Sequence, residues 1–169
     1  MVMQKLAAAI DKGVDRLGRG GAWFTLVMVI LMALIVILRY LVRFGSVALQ
    51  ESVIYINALI FMIGAAYTLK EQGHVRVDIF YRKLGERQQA LIDVLGYALF
   101  LLPMALFIIF SSWDYVAVSW RIREGSAETS GLPFVYLLKS TIPVLAGLLL
   151  LQGVAEFCKA VGRLLAGKP

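Results

Sequence analysis

The chain has 169 residues, of which 60% are hydrophobic and 17% charged, with a net charge of +6, one histidine and one cysteine. A soluble domain carries roughly 25% charged and 45–50% apolar residues, so this composition is that of a membrane protein. The single cysteine, Cys158, excludes an internal disulfide and the cysteine pairs of a thiol oxidase, and the single histidine excludes haem held between paired histidines inside a bundle.

Residues 1–20 place Leu6, Ile10, Val14 and Leu17 on one helical stripe, with Lys5, Lys12, Arg16 and Arg19 largely elsewhere, a pattern that predicts an amphipathic helix lying in the membrane interface or against a partner subunit. A first span follows over 22–42, interrupted only by Thr25 and by Arg39, whose stem can snorkel to the boundary. This run is too long for a signal-peptide core and has no small-residue cleavage site before a soluble domain, so it is expected to be retained. A bilayer core needs about 20 mostly apolar residues per helix, and three further stretches qualify. The second, 51–70, is uncharged between Glu51 and Lys70. The third, 91–113, is uncharged between Asp93 and Asp114. The fourth, 133–156, holds Lys139 near its start and closes on Glu156. The expected fold is an all-α membrane protein: one domain over 1–169, four transmembrane helices plus interfacial helices, a cytoplasmic elbow at 71–89 and a periplasmic loop at 114–132. Pro103 is expected to bend the third span, and Gly64, Ala65, Ala66, Ala146 and Gly147 to allow close helix packing.

The second span has Lys70 in its last turn and Gly73 beyond, which predicts a helix stop on a left-handed glycine. Then Val75, Val77 and Ile79 alternate with His74, Arg76 and Asp78, and Val77, Phe80, Tyr81 and Leu84 recur at helical spacing opposite Arg82, Lys83 and Glu86. An extended turn leading into a second interfacial helix fits this pattern, with His74 as a polar residue at the carbonyl end of the second span rather than a reactive one. Basic residues collect on the cytoplasmic side of short loops. Lys5, Lys12, Arg16, Arg19, Lys70, Arg76, Arg82, Lys83, Arg87, Lys159, Arg163 and Lys168 outnumber Arg39, Arg43, Arg121 and Arg123, which predicts both termini in the cytoplasm. The net positive charge then reads as attraction to anionic lipid, not to nucleic acid.

The charges at span ends are Arg39, Glu51, Asp93, Asp114 and Lys139. Arg39 and Glu51 lie near the outer boundary with opposite signs, and form either a salt bridge joining the first two spans or a partner, or two separately hydrated groups. Asn57 is the clearly polar residue at depth, able to hydrogen-bond a partner helix with roughly 0.6–2 kcal/mol at stake. No Ser/His/Asp set, zinc spacing or phosphate-cradling loop occurs in a credible setting, so neither enzyme activity nor a cofactor is expected. A small multidrug exporter would need a membrane-embedded carboxylate, for which Glu51 is the sole candidate and sits too near the boundary. A membrane anchor for some other complex shares every compositional feature.

The segments "RYLVR", "LQESVIYINALIFMIGAAYTLKEQGHVRVDIF" and "GSAETSGLPFVYLLKSTIPV" resemble the small membrane subunit of TRAP transporters, the DctQ-like family, over nearly the whole chain. In appearance they are most similar to the mannitol/chloroaromatic or keto-acid branch. Gln50 before Glu51, where relatives often show a second acid, and Asn57, where they often show tryptophan, depart from the pattern. The resemblance implies a scaffold subunit of a bacterial inner-membrane secondary transporter that imports organic acids with sodium. It also implies two partners, a large multi-spanning membrane subunit that carries the substrate and ion sites, and a periplasmic substrate-binding protein. On this reading Arg39, Glu51, Asn57, His74, Arg76 and Asp78 belong to the subunit interface or its supporting structure, and Arg121, Arg123, Glu124 and Glu128 to the contact with the binding protein.

Overall fold

The computed structural model describes residues 2–73, 81 and 83–166, which are helical apart from short connections and contain no strand. His74, Arg76 and Asp78 lie outside the described residues. The helices are α1 (Val2–Tyr40), α2 (Val47–Lys70), α3 (Glu86–Gly96), α4 (Leu102–Ile122) and α5 (Val135–Ala166), with a π-helical turn, Tyr97–Leu101, joining α3 to α4 without a break. Four helical segments are long and apolar enough to cross a membrane, the third being α3, the π turn and α4 together.

The N-terminal stretch is not a separate helix. α1 runs unbroken through Gly20 and Gly21, and at 1.5 Å per residue its length is about 58 Å, nearly twice a bilayer core. Of the Leu6, Ile10, Val14 and Leu17 stripe, Leu6 and Leu17 are exposed, Ile10 is half-buried and Val14 is buried, and the face that packs is Ala7, Val14 and Gly21. Small residues at heptad spacing let α1 lie close to its neighbours, whereas the leucines have room only outside. α1 is antiparallel to α2: Asp15 pairs with Lys70, Gly18 faces Tyr67 and Gly21 faces Ile63.

Helices in lipid gain nothing from excluding water, so contact is made where small side chains let backbones approach. Ala66, Ala105, Ala146, Ala155 and Ala160 are all essentially inaccessible, and Leu69, Tyr97 and Leu149 complete the buried centre. The glycines that make close contact are not the expected ones. A Cβ on Gly64 or Gly147 would meet nothing, whereas one on Gly18 would come within 2.3 Å of the Tyr67 ring and one on Gly153 within 2.5 Å of Leu101. Near Pro103 the helix widens into the π turn, which carries Leu101 toward Gly153 of α5. The connection after α4 is shorter than expected, because the helix continues past Asp114 to Ile122. α2 ends with left-handed Gln72 (φ 54°) rather than with Gly73, whose amide closes the turn on the Thr68 carbonyl at 2.9 Å.

Candidate functional site

Polar side chains are organised in two layers, one at each end of the bundle. At the end formed by the start of α2, Ser46 caps the helix through its hydroxyl, which accepts from the Leu49 amide, and Glu51 follows one turn later. One Glu51 oxygen accepts from the Ser126 hydroxyl and the other from the Leu132 amide at 2.6 Å. The carboxylate therefore clamps the 123–134 connection onto α2. Gly131 is required there, since a Cβ would fall 2.4 Å from Ser126 Cβ and 2.8 Å from Glu51 Oε1. The same connection is closed by the Ser126 amide donating to the Leu132 carbonyl at 2.9 Å.

Of the two alternatives for Arg39 and Glu51, a mutual salt bridge or separate groups, the structure shows separate groups. Arg39 is exposed and lies beside Gly45, Ser46 and Gln50, while both Glu51 oxygens are engaged with the loop. Beside the clamp, Lys139 of α5 donates to both Glu124 oxygens, at 2.6 and 2.8 Å, and lies 4.0 Å from the Tyr115 ring. The Lys139 ammonium holds the Glu124 carboxyl below its ordinary value. Trp120 donates from Nε1 to Ser140 at 2.7 Å and meets Tyr136 edge-on, and Arg123, left-handed at φ 50°, places its guanidinium over the other side of the cluster, 5.7 Å from the Tyr136 ring. Of the residues expected to meet a binding protein, Arg121, Arg123 and Glu128 are exposed, whereas Glu124 is half-buried in its pair with Lys139.

The opposite layer ties the two ends of the chain together. Lys70 pairs with Asp15 at 2.8 Å, and Asp15 also holds Arg19. Gln152, fully buried on α5, donates to both Asp11 and Glu156 at 2.9 Å. Lys159 pairs with Asp11 and Glu156, Gln72 donates to Glu156 at 2.8 Å and to the Tyr97 hydroxyl at 3.3 Å, and Arg163 reaches Asp93 at 2.8 Å. Tyr81, in the elbow, donates to Asp93 at 2.9 Å. A carboxylate such as Glu156 is tolerable at 3% exposure because it accepts from Gln72, Gln152 and Lys159 at once.

Asp11, Asp15, Gln152, Glu156, Lys159 and Arg163 were not expected from the sequence to form a unit. The legible signal is sign: Asp11 and Asp15 are acids in a basic segment, placed on the helical face that carries Val14 and Gly18. Asn57 faces outward from α2, exposed and with no hydrogen-bond partner in the chain among the described residues.

The distance between the two layers along α2, from Glu51 to Lys70, is about 28 Å at 1.5 Å per residue, the thickness of a bilayer core. A family model described as tripartite ATP-independent periplasmic transporters, DctQ component, matches residues 28–163 of this charge-capped bundle. The chain belongs to the DctQ family. It is thus a small membrane component of a TRAP transporter, and its four apolar helices make it a multi-pass protein of the inner membrane. DctQ components belong to a transport system rather than to an enzyme class, and work with a large membrane subunit and a binding protein. The match takes in the whole Glu51 clamp and, in the opposite layer, Lys70, Gln72, Asp93, Tyr97 and the α5 residues, while Asp11, Asp15, Gly18 and Gly21 precede it. Comparison with curated proteins and with solved structures gives no match.

Proposed function

We propose that this DctQ component is the fixed scaffold of its transporter and carries no substrate itself. The observation that supports this is the pairing of its helix charges into two end layers, with alanines, Leu69, Leu149 and Tyr97 packed near or between them. Such an arrangement holds four helices at set positions, which suits a fixed frame beside a moving subunit. The excess of Lys and Arg near the Lys70–Glu156 layer supports cytoplasmic termini, and with them a periplasmic 123–134 connection. There Arg121, Arg123 and Glu128 offer exposed charges to the binding protein, and Glu124 supports the loop through Lys139. His74, Arg76 and Asp78 would grip or brace the large subunit from the cytoplasmic side. The cargo would be an organic acid such as a dicarboxylate or keto acid, with sodium coupling located in the large subunit.

Reconstitution tests this reading. Liposomes holding this chain alone should take up no organic acid, and those holding chain, large subunit and binding protein should do so along a sodium gradient. Uptake by the chain alone would overturn the scaffold role. Charge reversal at Arg121, Arg123 and Glu128 should weaken binding-protein capture, and unchanged capture with all three reversed would remove the docking role.

A further inference from the structure

The outward faces of the bundle differ in kind. α1 shows Trp23, Val29, Val36 and Tyr40 outward, and the π turn and α4 show Phe100, Phe107 and Phe110, which are side chains lipid accepts without cost. α2 differs. Its exposed Gln50, Ile54, Asn57 and Phe61 continue into Gly64 and Thr68, and successive members alternate four and three residues apart. That is the 3.5-residue repeat of a left-handed helix pair, with polar or small side chains at Gln50, Asn57 and Gly64 and large apolar ones at Ile54 and Phe61.

Depth makes the seam informative. Asn57 lies about 9 Å along the helix from Glu51, well inside the hydrocarbon region. Its amide offers two donors and an acceptor and has no partner among the described residues. The exposed hydroxyl of Ser111 shows the contrast, since it bonds its own helix at the Ile108 carbonyl, an escape open to serine and threonine but too small to satisfy a whole amide. Gly64 adds a surface notch, because a Cβ there would meet nothing within 4 Å. Lipid tails supply neither a hydrogen bond for Asn57 nor a reason for the notch, whereas a second helix supplies both.

We infer that the Gln50–Asn57–Gly64 seam of α2 receives a transmembrane helix of the large subunit, which presents a polar group to Asn57 and packs a side chain into the notch at Gly64. This inference rests on the scaffold reading above and adds the face through which it operates. The α1 and α4 outer faces are then lipid-facing.

The test uses the chain coexpressed with its large subunit in membranes. With p-benzoylphenylalanine at Phe61, illumination should give an adduct containing both subunits, and with the same probe at Phe107 it should give none. An adduct of two copies of this chain at Phe61, or no protein adduct there while the two subunits still copurify, overturns the seam but leaves the scaffold intact. Failure of the unmodified pair to copurify overturns both. Independently, Asn57→Leu and Gly64→Trp should each lower recovery of the large subunit about fivefold or more, the change expected when one interhelical contact of this kind is lost, with the amount of this chain in the membrane unchanged. Gly147→Trp, at an equally open glycine on α5, should leave recovery unchanged; an equal loss there would overturn the assignment to α2.

Discussion

Gly18 and Gly20 lie two residues apart in one helix, yet alanine should act in opposite directions at the two positions. Each replacement removes a helix-interior glycine, which is worth about 1 kcal/mol of helix propensity. At Gly20 a Cβ meets nothing within 4 Å, so that gain should appear undiminished. At Gly18 the Cβ would lie 2.3 Å from Cδ2, 2.6 Å from Cγ and 3.0 Å from Cβ of Tyr67. The Tyr67 ring cannot simply swing aside, because its own Cβ is part of the obstruction and its face carries the Lys70 ammonium 5.3 Å from the centroid. The helices must therefore separate, and overpacking of this kind costs about 1–3 kcal/mol, leaving Gly18→Ala neutral to about 2 kcal/mol destabilised while Gly20→Ala is stabilised by about 1. Unfolding in mixed detergent micelles, followed by circular dichroism as denaturing detergent is titrated, would place both variants on one scale. Equal shifts of the same sign would refute the close α1–α2 contact.

At Gly153 the obstruction is the tips of Leu101 and Leu102, which can move, so Gly153→Ala should cost about 1 kcal/mol and Gly153→Val considerably more in the same titration. Gln72 combines a left-handed backbone with side-chain bonds to Glu156 and Tyr97. Gln72→Ala loses the bonds and keeps the strain, whereas Gln72→Gly also relieves about 1 kcal/mol of strain, so glycine should be the milder change; the reverse order would contradict the assigned backbone. The Glu124–Lys139 pair should depend on pH. Because the folded carboxyl titrates below its ordinary value of 4.5, its stabilisation is complete above that value and disappears as pH falls through the lower folded one. The difference in unfolding midpoint between the natural chain and Glu124→Gln should accordingly shrink on acidification, and a difference independent of pH would show that the charge is not what matters.

Length and hydropathy made the four spans legible, because an uncharged run of bilayer length has few alternatives to a membrane helix. Their ends were less legible. Charged residues such as Asp114 mark where hydropathy falls, but α4 continues two turns further, since a helix need not end where the apolar side chains do. The intramolecular face of the N-terminal stretch was less legible: Leu6 and Leu17 of the apolar stripe stay exposed, while close packing between long helices selects Val14 of that stripe together with Ala7 and Gly21. Glu51 was recognised as a boundary group, yet its partners, a hydroxyl and a backbone amide more than seventy positions away, carry no charge by which the sequence could advertise them. Asp11 meets Gln152 of the fourth span because α1 begins well before the first apolar run, a property of helix length that no local pattern reveals.

The two polar layers also separate positions that hold the bundle from positions that can act on others. In the layer at the start of α2, Glu51 has two acceptors and both are used by the loop, so its substitution should release residues 123–134 before it alters any subunit contact. In the opposite layer, Glu156 accepts from Gln72, just past the end of α2, and from Gln152 and Lys159 of α5, which ties α5 to the end of α2. Charge at the helix ends is thus largely consumed internally. What α2 retains for another protein lies between the layers, in an amide at membrane depth and an open glycine beside it, where the surrounding lipid leaves a hydrogen bond unmade.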